Sequence, residues 1–304
     1  MQAVRAHLNR VVLGQGQVVE RLLVTLIAGG HALLLGVPGL AKTRLVLAAA
    51  GALGLTARRV QGTPDLMPAD ILGCEVLDEA EGRRSLRFVP GPVFAQCLLM
   101  DEINRAPPRT QAALLQAMEE GAVTVGGQDH PLPRPFHVLA TQNPLEHAGT
   151  YPLPEAQRDR FLMCIPVDYP GPAAEAAMLR AALDGDAPEA GPVAAPGALE
   201  EAQDLARRLP VGESVVGGVL ALVRGLRPGP EAAGFVQEAL AWGPSPRAAK
   251  GLLQAVRARA VLDGRATPSV EDVAALAVPV LAHRVGPRPG ADPAEVIGAA
   301  CRAL

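Results

Sequence analysis

Aromatic side chains are scarce: 3% of 304 residues, with a single Trp and two Tyr. So few rings cannot line a surface that stacks bases. They leave the interior to Leu, Val and Ala, for which 49% apolar residues are ample. Positive charge is not in excess either, since 28 Lys and Arg face 31 Asp and Glu for a net charge of −3. With a pI near 6.1, no global field draws nucleic acid, and a nucleic-acid partner is not expected. The four cysteines (Cys74, Cys97, Cys164, Cys301) form no CxxC pair. Cys97 and Cys164 sit inside apolar runs and read as small buried hydrophobes. The six histidines make no HExxH-like pattern, so a cluster of metal-ligating histidines is not expected. Long apolar runs are missing too. The stretch 22–35 is cut by Gly29, Gly30 and His31, and no N-terminal signal pattern appears. The expectation is a cytoplasmic chain without a membrane span.

What is present centres on residues 31–43, HALLLGVPGLAKT. A short apolar run fit for a strand buried on both faces breaks at Gly36 into a loop, then reaches Lys42 and Thr43 at the head of an apolar-periodic helix. Strand, glycine loop, Lys-Thr and helix make the context of a phosphate-binding loop. The loop Gly36, Val37, Pro38, Gly39, Leu40, Ala41, with Lys42, Thr43 and Arg44 in the helix's first turn, supplies backbone N–H groups and a helix N-terminus to phosphate oxygens. Lys42 is expected to reach the β- and γ-phosphates of ATP and Thr43 to bind Mg²⁺. Ala41 stands where the general pattern has glycine, which requires that it sit at negative φ. The bland alternative is a strand-to-helix turn that merely ends in Lys-Thr.

A second buried run, 96–100, finishes in Asp101 and Glu102. Carboxylates at the end of a buried strand are costly unless used or paired. Asp101 is expected to hold Mg²⁺, partly through water, and Glu102 to orient and deprotonate the attacking water. The alternative is a solvated pair capping the helix that follows. A third run, 137–141, ends near Asn143, whose amide could bond the attacking water or the γ-phosphate, or simply form an Asn-Pro turn.

Five such runs with intervening helices predict a doubly wound α/β domain with a parallel five-stranded sheet. Its ligand site belongs at the carboxyl edge of the strands. This domain is placed at 1–170, with hairpin inserts near 75–89 and 121–136. Residues 185–197 read as a flexible connection. Helical patterns at 198–209, 213–225, 231–242, 246–262 and 269–283 predict a smaller all-helical domain over 171–304.

The segments GVPGLAKT, TPDLMPADILG, LLMDEINRAPPRTQAALLQAMEE, ATQNP and GTYPLPEAQRDRF resemble the MoxR family of AAA+ ATPases, and GPSPRAAKGLL fits its lid. The resemblance implies that Gly36, Gly39, Lys42 and Thr43 form Walker A, Asp101 and Glu102 Walker B, and Asn143 sensor 1. It implies that Arg160 is the finger reaching a neighbouring subunit's nucleotide. Arg247 is implied to be the sensor 2 arginine, contacting the γ-phosphate bound by its own chain. Gln15 falls in the segment lining the adenine pocket. Arg158 departs from the family pattern, and the finger could be either arginine. Further implications are a hexameric ring with the hairpins facing its pore, ATP-gated rotation of the lid, chaperone-like remodelling of a protein client, and a von Willebrand factor A domain partner. Alternatives are a chelatase- or activase-type motor and a nucleic-acid ring motor. A switch that scarcely hydrolyses is disfavoured by the intact Glu102.

Overall fold

In a computed structural model, which describes residues 1–80, 83–145, 149–184 and 191–302, the strands run β1 (Ala32–Leu35), β2 (Ala57–Gln61), β3 (Gly73–Ala80), β4 (Arg83–Pro90), β5 (Cys97–Asp101), β6 (Ala122–Val125), β7 (Gln128–Pro131), β8 (His137–Gln142), β9 (Met163–Pro166), β10 (Leu240–Trp242) and β11 (Gly286–Pro287). Five of them form one parallel sheet in the order β2-β5-β8-β1-β9, as the sequence predicts. β8 enters between β1 and β5. That places the end of β8 between the phosphate loop that leaves β1 and the carboxylates that end β5.

The helices are α1 (Gln2–Val11), α2 (Gly16–Ile27), α3 (Lys42–Ala52), α4 (Pro68–Leu72), α5 (Pro108–Glu120), α6 (Glu155–Arg158), α7 (Pro172–Asp184), α8 (Ala198–Arg208), α9 (Glu213–Gly225), α10 (Gly234–Ala239), α11 (Pro246–Asp263), α12 (Val270–Leu281) and α13 (Pro293–Cys301). Side chains of a strand alternate between faces, and the two cores follow that rule. Ala32, Leu34, Leu99, Leu139 and Ile165 enter one core with α2 and α3. Leu33, Leu98, Met100, Val138 and Cys164 enter the other with Leu114 and Leu115 of α5. Both expected hairpins form, β3 with β4 and β6 with β7. The turn residues 81–82 of the first lie outside the described residues, as do 185–190 of the expected connection.

The expected helical lid is present, and one boundary within it differs: the helix expected over 231–242 stops at Ala239, and β10 pairs antiparallel with β11. Leu252 and Val256 of α11 and Leu276 and Val280 of α12 pack in the same core as Leu22, Leu26 and Leu34. No helix among the described residues is long and apolar enough to cross a membrane. No group of three potential His, Cys, Asp or Glu metal ligands occurs among them. Cys97 and Cys164 are buried, and burial pushes each thiol up to about 12.

Buried histidines tie the strands to their cover. His31 Nδ1 accepts from the Val138 N–H at 2.9 Å, and His137 Nδ1 donates to the Gly30 carbonyl at 2.8 Å. His283 Nε2 donates to the Phe161 carbonyl at 3.0 Å. Burial above all holds His31 and His283 down to about 3, aided by His137 for the first and Arg284 for the second. Unfolding restores each to about 6.5, so the unfolded chain takes up protons that the folded one refuses. Stability is therefore complete above about pH 6.5 and falls as the pH drops toward 3, by up to one proton per histidine. Denaturant midpoints measured from pH 7.5 to 5 should show this decline, and His283→Gln should flatten it. A flat profile in the parent protein would refute the assignment.

Candidate nucleotide site and an arginine pair

β1 ends against the loop, and Gly36 is required there by close approach: a Cβ would lie 2.5 Å from the Val167 carbonyl oxygen. The helix N-cap is Ala41, at φ 56° and ψ 21°, contrary to the negative φ expected. The left-handed turn swings the chain so that the Ala41 carbonyl accepts from Leu45 N at 2.9 Å while Lys42 and Thr43 open the helix. For an L-residue this costs about 1–2 kcal/mol. Ala41→Gly should consequently raise stability by roughly 0.5–1 kcal/mol, the relief being partly offset in the unfolded chain. Ala41→Val should lower it. Denaturation without nucleotide measures both, and a destabilised glycine variant would show that no strain is stored.

Lys42 folds onto its own loop, donating to the Gly36 carbonyl and, at 2.9 Å, to the Val37 carbonyl. These are the contacts phosphate oxygens would replace. Burial lowers the Lys42 pKa, opposed by Asp101 and Glu102. Arg44 is exposed on the helix's first turn.

Asp101 is buried, not a solvated cap. Its carboxylate accepts from Thr43 Oγ1 at 3.0 Å, Thr141 Oγ1 at 2.9 Å and Arg59 Nε at 2.8 Å. A hydroxyl and a carboxylate side by side at the foot of the phosphate loop are the donor set that a hard divalent cation takes. The Arg59 guanidinium already brings positive charge to the same oxygen. Thr43 and Asp101 therefore fit Mg²⁺.

Glu102 stands beside it at φ 52° and ψ 52°, a second non-glycine residue in the left-handed region. Its N–H donates to Thr141 Oγ1 at 2.9 Å. Its carbonyl lies so near Gly62 that a Cβ there would be 2.2 Å away. Gln61 Nε2 at 2.9 Å and an Arg105 nitrogen at 3.3 Å both reach Oε2.

Asn143 is buried at the same edge, and its carbonyl oxygen accepts from Leu145 N at 3.1 Å. The turn reading thus holds for the side-chain oxygen. Gln15 is buried with its amide nitrogen on the Asp168 carbonyl at 2.7 Å. It braces the segment after β9, and that nitrogen is not free to read a base.

The two lid and finger arginines lie elsewhere. Arg160 and Arg247 meet on one carboxylate: Arg160 reaches Glu119 Oε2 at 3.0 Å and Arg247 reaches Oε1 at 2.9 Å. They line a cavity of about 440 Å³ with Gly29, Gly30, Lys250 and Arg284. Gly30 precedes β1, whereas Gly36 follows it, and six extended residues span about 20 Å. The cavity is therefore at the amino edge of the sheet and the phosphate loop at the carboxyl edge. Arg247 thus lies at the sheet edge opposite its own phosphate loop, away from the γ-phosphate position at which the resemblance sets it. The cause is the packing of α11 on the shared core, which lands its N-terminus beside Glu119 and Asp159. Arg158 does not line the cavity. Its Nε is buried, and its charge is felt by Cys164 and His283.

Sequence reasoning missed Arg59, Gln61, Thr141 and Glu119. The one signal is in β2, where Arg59 and Gln61 alternate on one face of the strand and Val60 is buried on the other.

This architecture and site define an AAA ATPase. Residues 31–163 match the model of the ATPase family associated with various cellular activities, and 232–299 match the AAA lid domain. The chain belongs to the MoxR family of these ATPases. It is 44% identical over 281 residues to the chaperone MoxR1 of Mycobacterium tuberculosis, covering 92% of this chain and 74% of that one. It is 35% identical over 317 residues to the protein MoxR of Paracoccus denitrificans, covering 95% and 89%. The crystal structure of a Cytophaga hutchinsonii chain described as an ATPase superposes with a TM-score of 0.87 at 33% identity, over 99% of this chain and 93% of that one.

Proposed function

We propose that this ATPase works as a closed ring, with six protomers, in which each nucleotide is held by one chain and attacked with the help of arginines from the next. The observation that carries this reading is the joint placement of Arg160 and Arg247 on Glu119 at the sheet edge opposite their own phosphate loop. A head-to-tail contact brings one edge against the other and, if its rotation closes, makes a ring.

Within a site, Lys42 and the loop N–H groups bind the phosphates. Thr43 and Asp101 would hold Mg²⁺, which when bound neutralises charge on the phosphate oxygens. Glu102 takes the proton of the attacking water, and Asn143 donates to the γ-phosphate. The neighbour's arginines stabilise the charge that spreads over the transferring group. Work is done on a protein client: the M. tuberculosis relative is a chaperone by name. In the β3–β4 ribbon the register partners Leu77 and Leu86 stand 62% and 65% exposed, which supports a client-contacting role. A partner with a von Willebrand factor A domain belongs to the same proposal. Mixing Lys42→Ala protomers with Arg247→Ala protomers tests the shared site, and recovery of ATPase activity is the expected result.

A further inference from the structure

The cavity that holds the arginine pair carries more cations than anions: Arg160, Arg247, Lys250 and Arg284 against Glu119 and Asp159. Asp159 is committed to Arg284 at 2.9 Å, and the Arg284 guanidinium is pinned further by the Asp159 and Phe161 carbonyls. That half of the cavity is buried framework. Glu119 is different, because its side chain is 44% exposed and each of its oxygens takes one arginine. Arg160 is steadied in addition by the Leu115 carbonyl at 2.6 Å, whereas the second contact of Arg247, to Asp159 Oδ2, is 3.7 Å long, so Arg247 depends on Glu119 the more.

We propose that Glu119 is a positioning residue, which gathers Arg160 and Arg247 into one unit and sets it toward the phosphates of a neighbouring protomer's nucleotide. The inference rests on the shared site proposed above. Two guanidiniums close enough to share a carboxylate repel each other, and Lys250 and Arg284 add to that repulsion. Without Glu119 the half-exposed Arg247 would keep only its 3.7 Å contact to Asp159 Oδ2 and lose its set position. Each arginine touches Glu119 through a single terminal nitrogen, and a guanidinium has five N–H donors. The carboxylate can therefore keep its hold while other donors take the phosphate. Exposed ion pairs add only about 0–1 kcal/mol to stability, so this triad is a poor device for holding the fold and a good one for aiming charge.

Glu119→Gln keeps the shape and removes the charge that holds the pair. Steady-state kinetics should show turnover falling about ten- to hundred-fold, as misplacement of a group that acts on the transition state does, with KM for ATP and the thermal midpoint near the parent values. In an Arg247→Ala background the same change should cost far less. Parent-like turnover in Glu119→Gln would overturn the proposal. So would an equal loss in both backgrounds, or loss of assembly by light scattering in place of turnover. Mixed-protomer recovery reports separately on the shared site. Recovery alongside parent-like Glu119→Gln kinetics removes the positioning role alone. No recovery, with Glu119 and Arg247 still coupled, removes delivery to a neighbour.

Discussion

Glu102→Gln should bind ATP as tightly as the parent and fail to turn it over. The amide keeps one oxygen to accept from Gln61 and Arg105, which now meet Oε2, so the local geometry survives. What disappears is the oxygen able to take a proton. A positioned general base contributes about 10²- to 10⁴-fold, and turnover should fall within that range. Lys42→Ala should do the reverse, weakening binding itself, because its ammonium sits on the loop carbonyls that phosphate oxygens would displace. Equilibrium binding of a fluorescent ATP analogue, with phosphate release followed in parallel, separates the two. A Glu102→Gln protein that still hydrolyses ATP at the parent rate would place the base elsewhere.

Complementation between inactive protomers carries the second large effect. Lys42→Ala protein keeps its arginine pair and loses its nucleotide, whereas Arg247→Ala protein keeps its nucleotide and offers an incomplete pair. Arginines brought in by a neighbour are worth about 10³- to 10⁵-fold in related phosphoryl transfers, so each protein alone should be nearly silent. In an equal random mixture, about a quarter of the head-to-tail interfaces join an intact site to an intact pair, and activity should return toward that fraction. Arg160→Ala in place of Arg247→Ala should give the same recovery. If Arg160→Ala is rescued and Arg247→Ala is not, in rings shown to be mixed, Arg247 acts within its own chain despite lying at the far edge of the sheet.

Local pattern carried much of this molecule. The apolar runs ending at Leu35, Met100 and Ala140 became neighbouring strands, and the polar residues just beyond each run were gathered at one edge, as the parallel order requires. What local pattern does not encode is which strands adjoin. β2 lies against β5, so Arg59 and Gln61 meet Asp101 and Glu102 across some forty residues of chain. Glu119 and Arg247 are 128 residues apart, and their meeting is set by how α11 packs on the common core. The backbone of Ala41 departs from its local preference for a related reason. Local preference argued for negative φ, and the geometry of the loop-to-helix turn outweighed about 1–2 kcal/mol of that preference.

The single apolar interior joining sheet and helical lid has a mechanical corollary. Leu22, Leu34, Leu252 and Leu276 belong to one packed cluster, so turning the lid as a separate body would open oily surface to water at about 25 cal/mol per Å². A protomer built this way is stiff at its waist. In the ring proposed above, nucleotide exchange would then be expected as a change of angle between adjacent copies, with the ribbons travelling with whichever copy carries them.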